Sequence, residues 1–292
     1  MTLVARCVLP AGARLGESAL WLEQERRLYW LDLKAPAIHA FDPATGTDER
    51  WDLALEIPLG CLLRRAKDLL LAGRRGLYAV DFAARSLRLW FDPNDRPEDT
   101  AFNDGKVDRL GHIWLGSSHI EEREPVGKLY RIDGKGTVIV ADQGFPCSNG
   151  PAFSPDGEIL YFADTVGRRV YRYDLDRKSG RLSNRRLFLE FTPEQGQPDG
   201  MTVDEEGGLW VCHWGGWGLT RYQPDGRTSM RIDLPARNVT SCAFGGEDLR
   251  TLYITTAKDD MAPGDAAKAP LAGGLFAVRP GPRGMLEPVF KS

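Results

Sequence analysis

Apolar and polar residues alternate with a period of two in short runs along the whole chain, and the runs recur. Leu28-Tyr29-Trp30-Leu31, Leu69-Leu70-Leu71-Ala72, His112-Ile113-Trp114-Leu115, Leu160-Tyr161-Phe162-Ala163, Leu209-Trp210-Val211-Cys212 and Leu252-Tyr253-Ile254-Thr255 are six copies of one pattern. Their second residues lie 41, 43, 48, 49 and 43 positions apart, the length of a unit of four short strands joined by turns. A further alternating run follows each copy, as in Ile38-His39-Ala40-Phe41, Leu129-Tyr130-Arg131-Ile132, Val170-Tyr171-Arg172-Tyr173 and Leu219-Thr220-Arg221-Tyr222, with residues 77–80 and 275–278 completing the set. Most of these runs end in Asp, Pro and Gly. Period-two alternation suits a half-buried antiparallel strand, and Asp-Gly or Pro-Asp-Gly ends supply hairpin turns.

Helix periodicity is weak everywhere, so the pattern predicts an all-β chain. Six such units fit a six-bladed β-propeller with four antiparallel strands per blade, one domain over residues 1–292. An open solenoid of the same units would need polar capping repeats at both ends, and neither terminus resembles one. Instead, Leu3-Val4-Ala5-Arg6-Cys7-Val8 precedes the first full repeat, and the last repeat ends just after Glu287-Pro288-Val289-Phe290. Ring closure therefore predicts that the N-terminal strand pairs with the C-terminal blade.

Composition narrows the partners. The 292 residues carry 38 Lys and Arg against 41 Asp and Glu, a formal charge of −3. Near balance without a basic run argues against nucleic acid and acidic membrane surfaces. No run of about 18 uncharged apolar residues is present, and residues 1–9 read as a strand, not a secretory signal. The cysteines, five and widely scattered, lack the spacing of a zinc site or a disulfide framework, which fits reduced thiols in a cytoplasmic protein. Its 32 Gly and 19 Pro fit many tight turns.

The units differ in chemistry ten to thirteen residues before each anchor, at the turn leading into the innermost strand, where Glu17, Leu59, Asn103 with Asp104, Asn149, Asp199 and Thr240 stand. Four of six carry a carboxylate or carboxamide. In a propeller a shared offset means a shared ring about the axis, so these oxygens would converge on one axial metal site for a hard or borderline divalent cation. Ca²⁺ or Zn²⁺ stand ahead of Mn²⁺, Mg²⁺ and Fe²⁺. Any one Asn-Gly or Asp-Gly alone reads as a turn; repetition at matched offset, with Glu17 in a Gly-Glu-Ser context that no turn requires, favours ligands.

Other features read more plainly. His213, Trp214 and Trp217 could line a pocket but are commoner as packing groups, and Asp104 reads as a backbone-bonding turn residue. The stretch at 258–270 reads equally as a lid or as a surface insertion. No phosphate loop, Gly-x-Ser-x-Gly elbow or His-Glu-x-x-His motif is present.

Leu15-Gly16-Glu17-Ser18, Phe102-Asn103-Asp104-Gly105, Ser148-Asn149-Gly150-Pro151 and Pro198-Asp199-Gly200-Met201 together resemble the family of regucalcin (senescence marker protein), gluconolactonases and other sugar-acid lactonases. The resemblance covers nearly the whole chain. It implies one divalent cation held by Glu17, Asn149 and Asp199, with Asn103 contacting bound water or substrate and Glu121 as a substrate-binding carboxylate. The family often has Arg where this chain has Ala101, which removes a fork of donors and enlarges the pocket. The implied activity is metal-dependent opening of a sugar-acid (aldono) lactone to the aldonic acid in carbohydrate catabolism, with Asp199 both ligand and general base. The expected partner is a small-molecule lactone, and the expected state a monomer or small homo-oligomer. A propeller hydrolase of other esters or phosphotriesters, and a non-catalytic protein-binding propeller, remain the alternatives.

Overall fold

Six four-stranded antiparallel sheets follow one another along the chain in a computed structural model that describes residues 3–55, 58–66, 68–93, 98–261 and 263–291. Met1, Thr2 and Ala262, in stretches singled out above, lie outside the described residues. Blade 1 holds Gly16–Leu22, Arg27–Asp32, Ala37–Asp42 and Thr47–Asp52; blade 2 holds Leu59–Arg65, Asp68–Gly73, Gly76–Asp81 and Ser86–Phe91. Blade 3 holds Thr100–Val107, Ile113–His119, Gly127–Ile132 and Val138–Phe145, and blade 4 holds Ser148–Phe153, Ile159–Asp164, Arg169–Leu175 and Leu182–Glu190. Blade 5 holds Gln197–Val203, Leu209–Trp214, Gly218–Tyr222 and Thr228–Asp233. Blade 6 takes Asn238–Gly245, Thr251–Ala257 and Leu275–Val278 from the C-terminal end and Arg6–Leu9 from the N-terminal end. The fold class is the six-bladed β-propeller that the repeat spacing predicts. Its expected closure is present as antiparallel pairing of Arg6 with Ala277 and Cys7 with Phe276.

The chain forms two compact units. One comprises Met1–Leu53 and Phe191–Leu286, with blades 1, 5 and 6; the other comprises Ala54–Glu190 and Glu287–Ser292, with blades 2, 3 and 4. Each buries the apolar face of its alternating strands between neighbouring blades. In the first unit Trp210, Leu219, Phe244, Ile254 and Phe276 form one layer, and Trp21, Leu28, Trp30, Phe41 and Tyr253 another. In the second, Leu70, Phe102, Ile113, Tyr130 and Phe290 pack together, as do Trp114, Phe145, Phe162 and Tyr173. A fully buried side chain of this size contributes about 1.5–3 kcal/mol.

Buried Trp side chains also need a partner for the indole N–H. Trp114 Nε1 donates to Asp108 Oδ2 at 2.8 Å in blade 3, and Trp210 Nε1 donates to Asp204 Oδ2 at 2.7 Å in blade 5. The same six-residue spacing solves the same problem in two blades. Asp204 is further paired with Arg221 at 2.7 Å, so that its charge is offset inside the protein.

Every first strand breaks register over two residues. The pairing slips between Glu17 and Leu20, Leu59 and Leu62, Phe102 and Gly105, Asn149 and Ala152, Pro198 and Met201, and Val239 and Cys242. A bulge of this kind re-aims the side chains beside it. The ring residues expected in a turn before the strand thus sit inside the strand, at its break: the Asn-Gly and Asp-Gly pairs make bulges instead of hairpin turns.

The described helical elements are a 3₁₀ turn at Pro193–Gln195 and a short helix at Pro263–Ala266. Around that helix Asp259 pairs with Arg14 at 2.8 Å, Asp260 with Lys34 at 2.6 Å and Asp265 with Arg237 at 3.0 Å, while Ala269 is buried in the core.

Candidate active site

In the second unit, the register breaks of blades 3 and 4 lie side by side. Asn103 Nδ2 donates to the Ser148 carbonyl at 2.7 Å and to Asn149 Oδ1 at 3.2 Å. Asn149, 5% exposed, donates its own Nδ2 to Thr165 Oγ1 at 2.9 Å. Both amides are thereby oriented, with each NH₂ engaged by protein acceptors and Asn149 Oδ1 accepting from Asn103. Gly150 follows with φ of 79°, a left-handed conformation open to glycine at little strain.

Asp104 joins the two breaks. Its Oδ1 accepts from Gly105 N at 2.7 Å and its Oδ2 from Gly150 N at 2.9 Å, which agrees with the backbone-bonding role read from its position. Burial pushes its carboxyl up to about 6, against the opposing pull of the Lys106 charge and of the Gly105 and Gly150 N–H groups. Lys106 is held by Glu287 at 2.6 Å.

In the first unit, Glu17 and Asp199 occupy the breaks of blades 1 and 5. Asp199 is 5% exposed, and Glu17 Oε2 accepts from Ser18 N at 2.9 Å. Both carboxylates act on one buried group. The Cys212 thiol is pushed well up, by burial first, then by its hydrogen bond with Cys242, then by the negative charges of Asp199 and Glu17. Blade 6 contributes hydroxyls at the equivalent break: Thr240 Oγ1 donates to the Gly16 carbonyl at 2.5 Å and lies 2.9 Å from Thr255 Oγ1. Gly200 is needed beside Asp199, because a Cβ there would stand 2.8 Å from the Thr240 carbonyl.

Two carboxylates are oxygen donors of the kind a divalent cation takes. Among the described residues no three Asp, Glu, His or Cys side chains form a metal cluster. Taken one by one, the carboxylate oxygens of Glu17 and Asp199 and the amide oxygen of Asn149 are of the type a hard cation takes.

Glu121 is the remaining residue that the sequence singles out. It lies in the exposed turn after Ile113–His119, 61% exposed, with its carboxylate 3.2 Å from Arg123. His119 Nδ1 ties this turn by accepting from Glu121 N at 3.2 Å and Arg123 N at 3.4 Å. Ala101 is buried opposite Ser118. His213 is packed, 0% exposed, with Nδ1 2.8 Å from the Gln195 carbonyl and its ring against Phe191. Burial pushes its pKa down to about 4.

The residues that sequence reasoning missed are Thr165, the Cys212–Cys242 pair and the Thr240–Thr255 hydroxyls. All reach the site from a neighbouring strand or blade. Only the matched offset of Thr240 gave any signal of them.

Comparison with known proteins supplies the rest. The model of the SMP-30/Gluconolactonase/LRE-like region matches residues 15–258. A 6-deoxy-6-sulfogluconolactonase from Pseudomonas putida is 37% identical, with 99% of each chain covered. A pentonolactonase from Haloferax volcanii is 36% identical, over 98% of this chain and 97% of the relative. The crystal structure of a calcium-binding protein, regucalcin, from Agrobacterium tumefaciens superposes with a TM-score of 0.93 at 26% identity, covering 100% of this chain and 99% of that one.

Proposed function

The chain belongs to the SMP-30/gluconolactonase/LRE-like family, and on that premise we propose that it hydrolyses a sugar-acid lactone with the help of one divalent cation. The observation that carries this reading is geometric: the first strands of four blades each set an oxygen-bearing side chain, Glu17, Asn103, Asn149 or Asp199, at the same register break. Lactonase names among relatives of full length support the substrate class.

Glu17, Asn149 and Asp199 would hold the cation. When bound, it supplies polarisation of the lactone carbonyl and stabilisation of the negative charge that develops there. Asp199 takes the proton from the water that attacks the carbonyl carbon. The ring C–O bond then breaks, and the same carboxyl returns the proton to the departing ring oxygen, so that lactone and water give the open hydroxy acid. Asn103 binds through Oδ1, because its NH₂ is committed to Ser148 and Asn149. It accepts from water or a substrate hydroxyl and orients it. Glu121, on its exposed turn, reaches the polyol of the substrate as a hydrogen-bond acceptor. Ala101 leaves room where a longer side chain would crowd a larger sugar acid.

The test is a panel of aldonolactones assayed by proton release, with chelator and with each metal restored. Turnover that Asp199→Asn abolishes is the expected result. Near wild-type rates in that variant would remove Asp199 as the base, and failure to open any lactone with any metal would remove the activity.

A further inference from the structure

We propose that Asp104 is a positioning residue that sets Asn149 in place for the cation. The inference rests on the reading of Asn149 as a ligand. Asp104 bonds the backbone at the breaks of two adjacent blades: its two carboxylate oxygens accept separately from Gly105 N at 2.7 Å and from Gly150 N at 2.9 Å. Gly150 N belongs to the peptide that begins at the Asn149 carbonyl, so the second bond fixes the backbone carrying the Asn149 side chain.

Two neighbouring bonds make that fixation specific. Asn103, the preceding residue, holds Asn149 Oδ1 and the Ser148 carbonyl. Thr165 holds Asn149 Nδ2 from the other side. Asn149 is therefore gripped at its amide oxygen, its amide nitrogen and its following peptide, and the last grip is Asp104. The pairing register offers no substitute, because residues 150 and 151 fall in the slip between Asn149 and Ala152. Only a residue with two acceptors satisfies both N–H groups. Asn at this position would turn an NH₂ towards one of them.

Asp104→Asn, Asn149→Ala and the double variant of the full chain, freed of metal by chelation, are titrated calorimetrically with Ca²⁺ and Zn²⁺. Asp104→Asn is expected to weaken cation binding by about 10-fold to 100-fold, the usual effect of removing a group that orients a metal ligand. In the Asn149→Ala background the same change should add little, since a positioning residue acts only through its target. A generic structural role predicts the opposite: lower melting temperature in chelator and additive losses. Wild-type affinity in Asp104→Asn, or additivity in the cycle, overturns the inference and leaves Asn149 as a ligand. Wild-type affinity in Asn149→Ala takes both down. Should Asp104→Asn not fold, Asp104→Ser, which is too short to bridge both N–H groups, enters the same cycle and decides it.

Discussion

Asn103 and Asn149 face each other amide to amide, Nδ2 of the first 3.2 Å from Oδ1 of the second, with the remaining hydrogen of Asn103 on the Ser148 carbonyl at 2.7 Å. Asn103→Asp keeps the size of the side chain and replaces a donor of two hydrogen bonds with a charged acceptor facing two acceptors. Leaving buried polar groups unpaired costs about 1–3 kcal/mol each. The variant should lose lactonase kcat/KM by about 10-fold to 100-fold and melt at lower temperature. Kinetics and melting curves indistinguishable from wild type would show that the amide contact carries nothing.

Chelation tests the first unit. If Glu17 and Asp199 hold a bound ion, removing it with excess chelator takes away that binding free energy and lowers the melting temperature. Restoring a tightly bound cation at 100 times its dissociation constant should return about 2.7 kcal/mol of stability. Glu17→Gln keeps the shape and halves the charge, so it should abolish most of this response while melting at or above the chelated wild type. A melting temperature that ignores chelator in the wild type would count against a cation.

The fold was legible because period-two alternation and turn residues are local signals, and the pairing of residues 6–9 with 275–278 followed from the absence of caps at either terminus. The repeated offset of carboxylates and amides was legible too, and the structure puts those positions at equivalent register breaks. Their setting was not. Asn-Gly and Asp-Gly have the same composition in a hairpin turn and in a bulge, and only the register with the second strand decides which is made. Thr165 meets Asn149 from 16 positions along the chain, and Cys242 meets Cys212 from an adjacent blade, so neither contact leaves a local trace. Glu121 was picked by resemblance alone, and its exposed turn is anchored by His119, two residues earlier.

The Asp204–Arg221 pair is buried, with side chains 0% and 5% exposed, and Asp204 also takes the Trp210 indole N–H at 2.7 Å. Removing one charge strands the other. Asp204→Asn should therefore destabilise the protein by about 3–5 kcal/mol, the range for breaking a buried pair from one side. Urea unfolding at neutral pH measures it. A loss below 1 kcal/mol would mean that Arg221 finds its compensation in Glu206, 2.8 Å from its guanidinium.

His213 provides a pH test with a definite sign. Burial pushes its pKa from 6.5 down to about 4, so the folded state excludes a proton that the unfolded chain binds between those values. Stability from this group is fully present above about pH 6.5 and is lost as pH falls towards 4, because the unfolded state binds more protons there. At pH 5 the loss amounts to about 2 kcal/mol relative to neutral pH. His213→Gln retains an amide N–H for the Gln195 carbonyl and does not titrate. Its melting temperature should fall less than that of wild type between pH 7.5 and pH 5, by an amount that corresponds to this difference. Parallel pH–stability curves for the two proteins would show that the imidazole is protonated in the fold as readily as outside it.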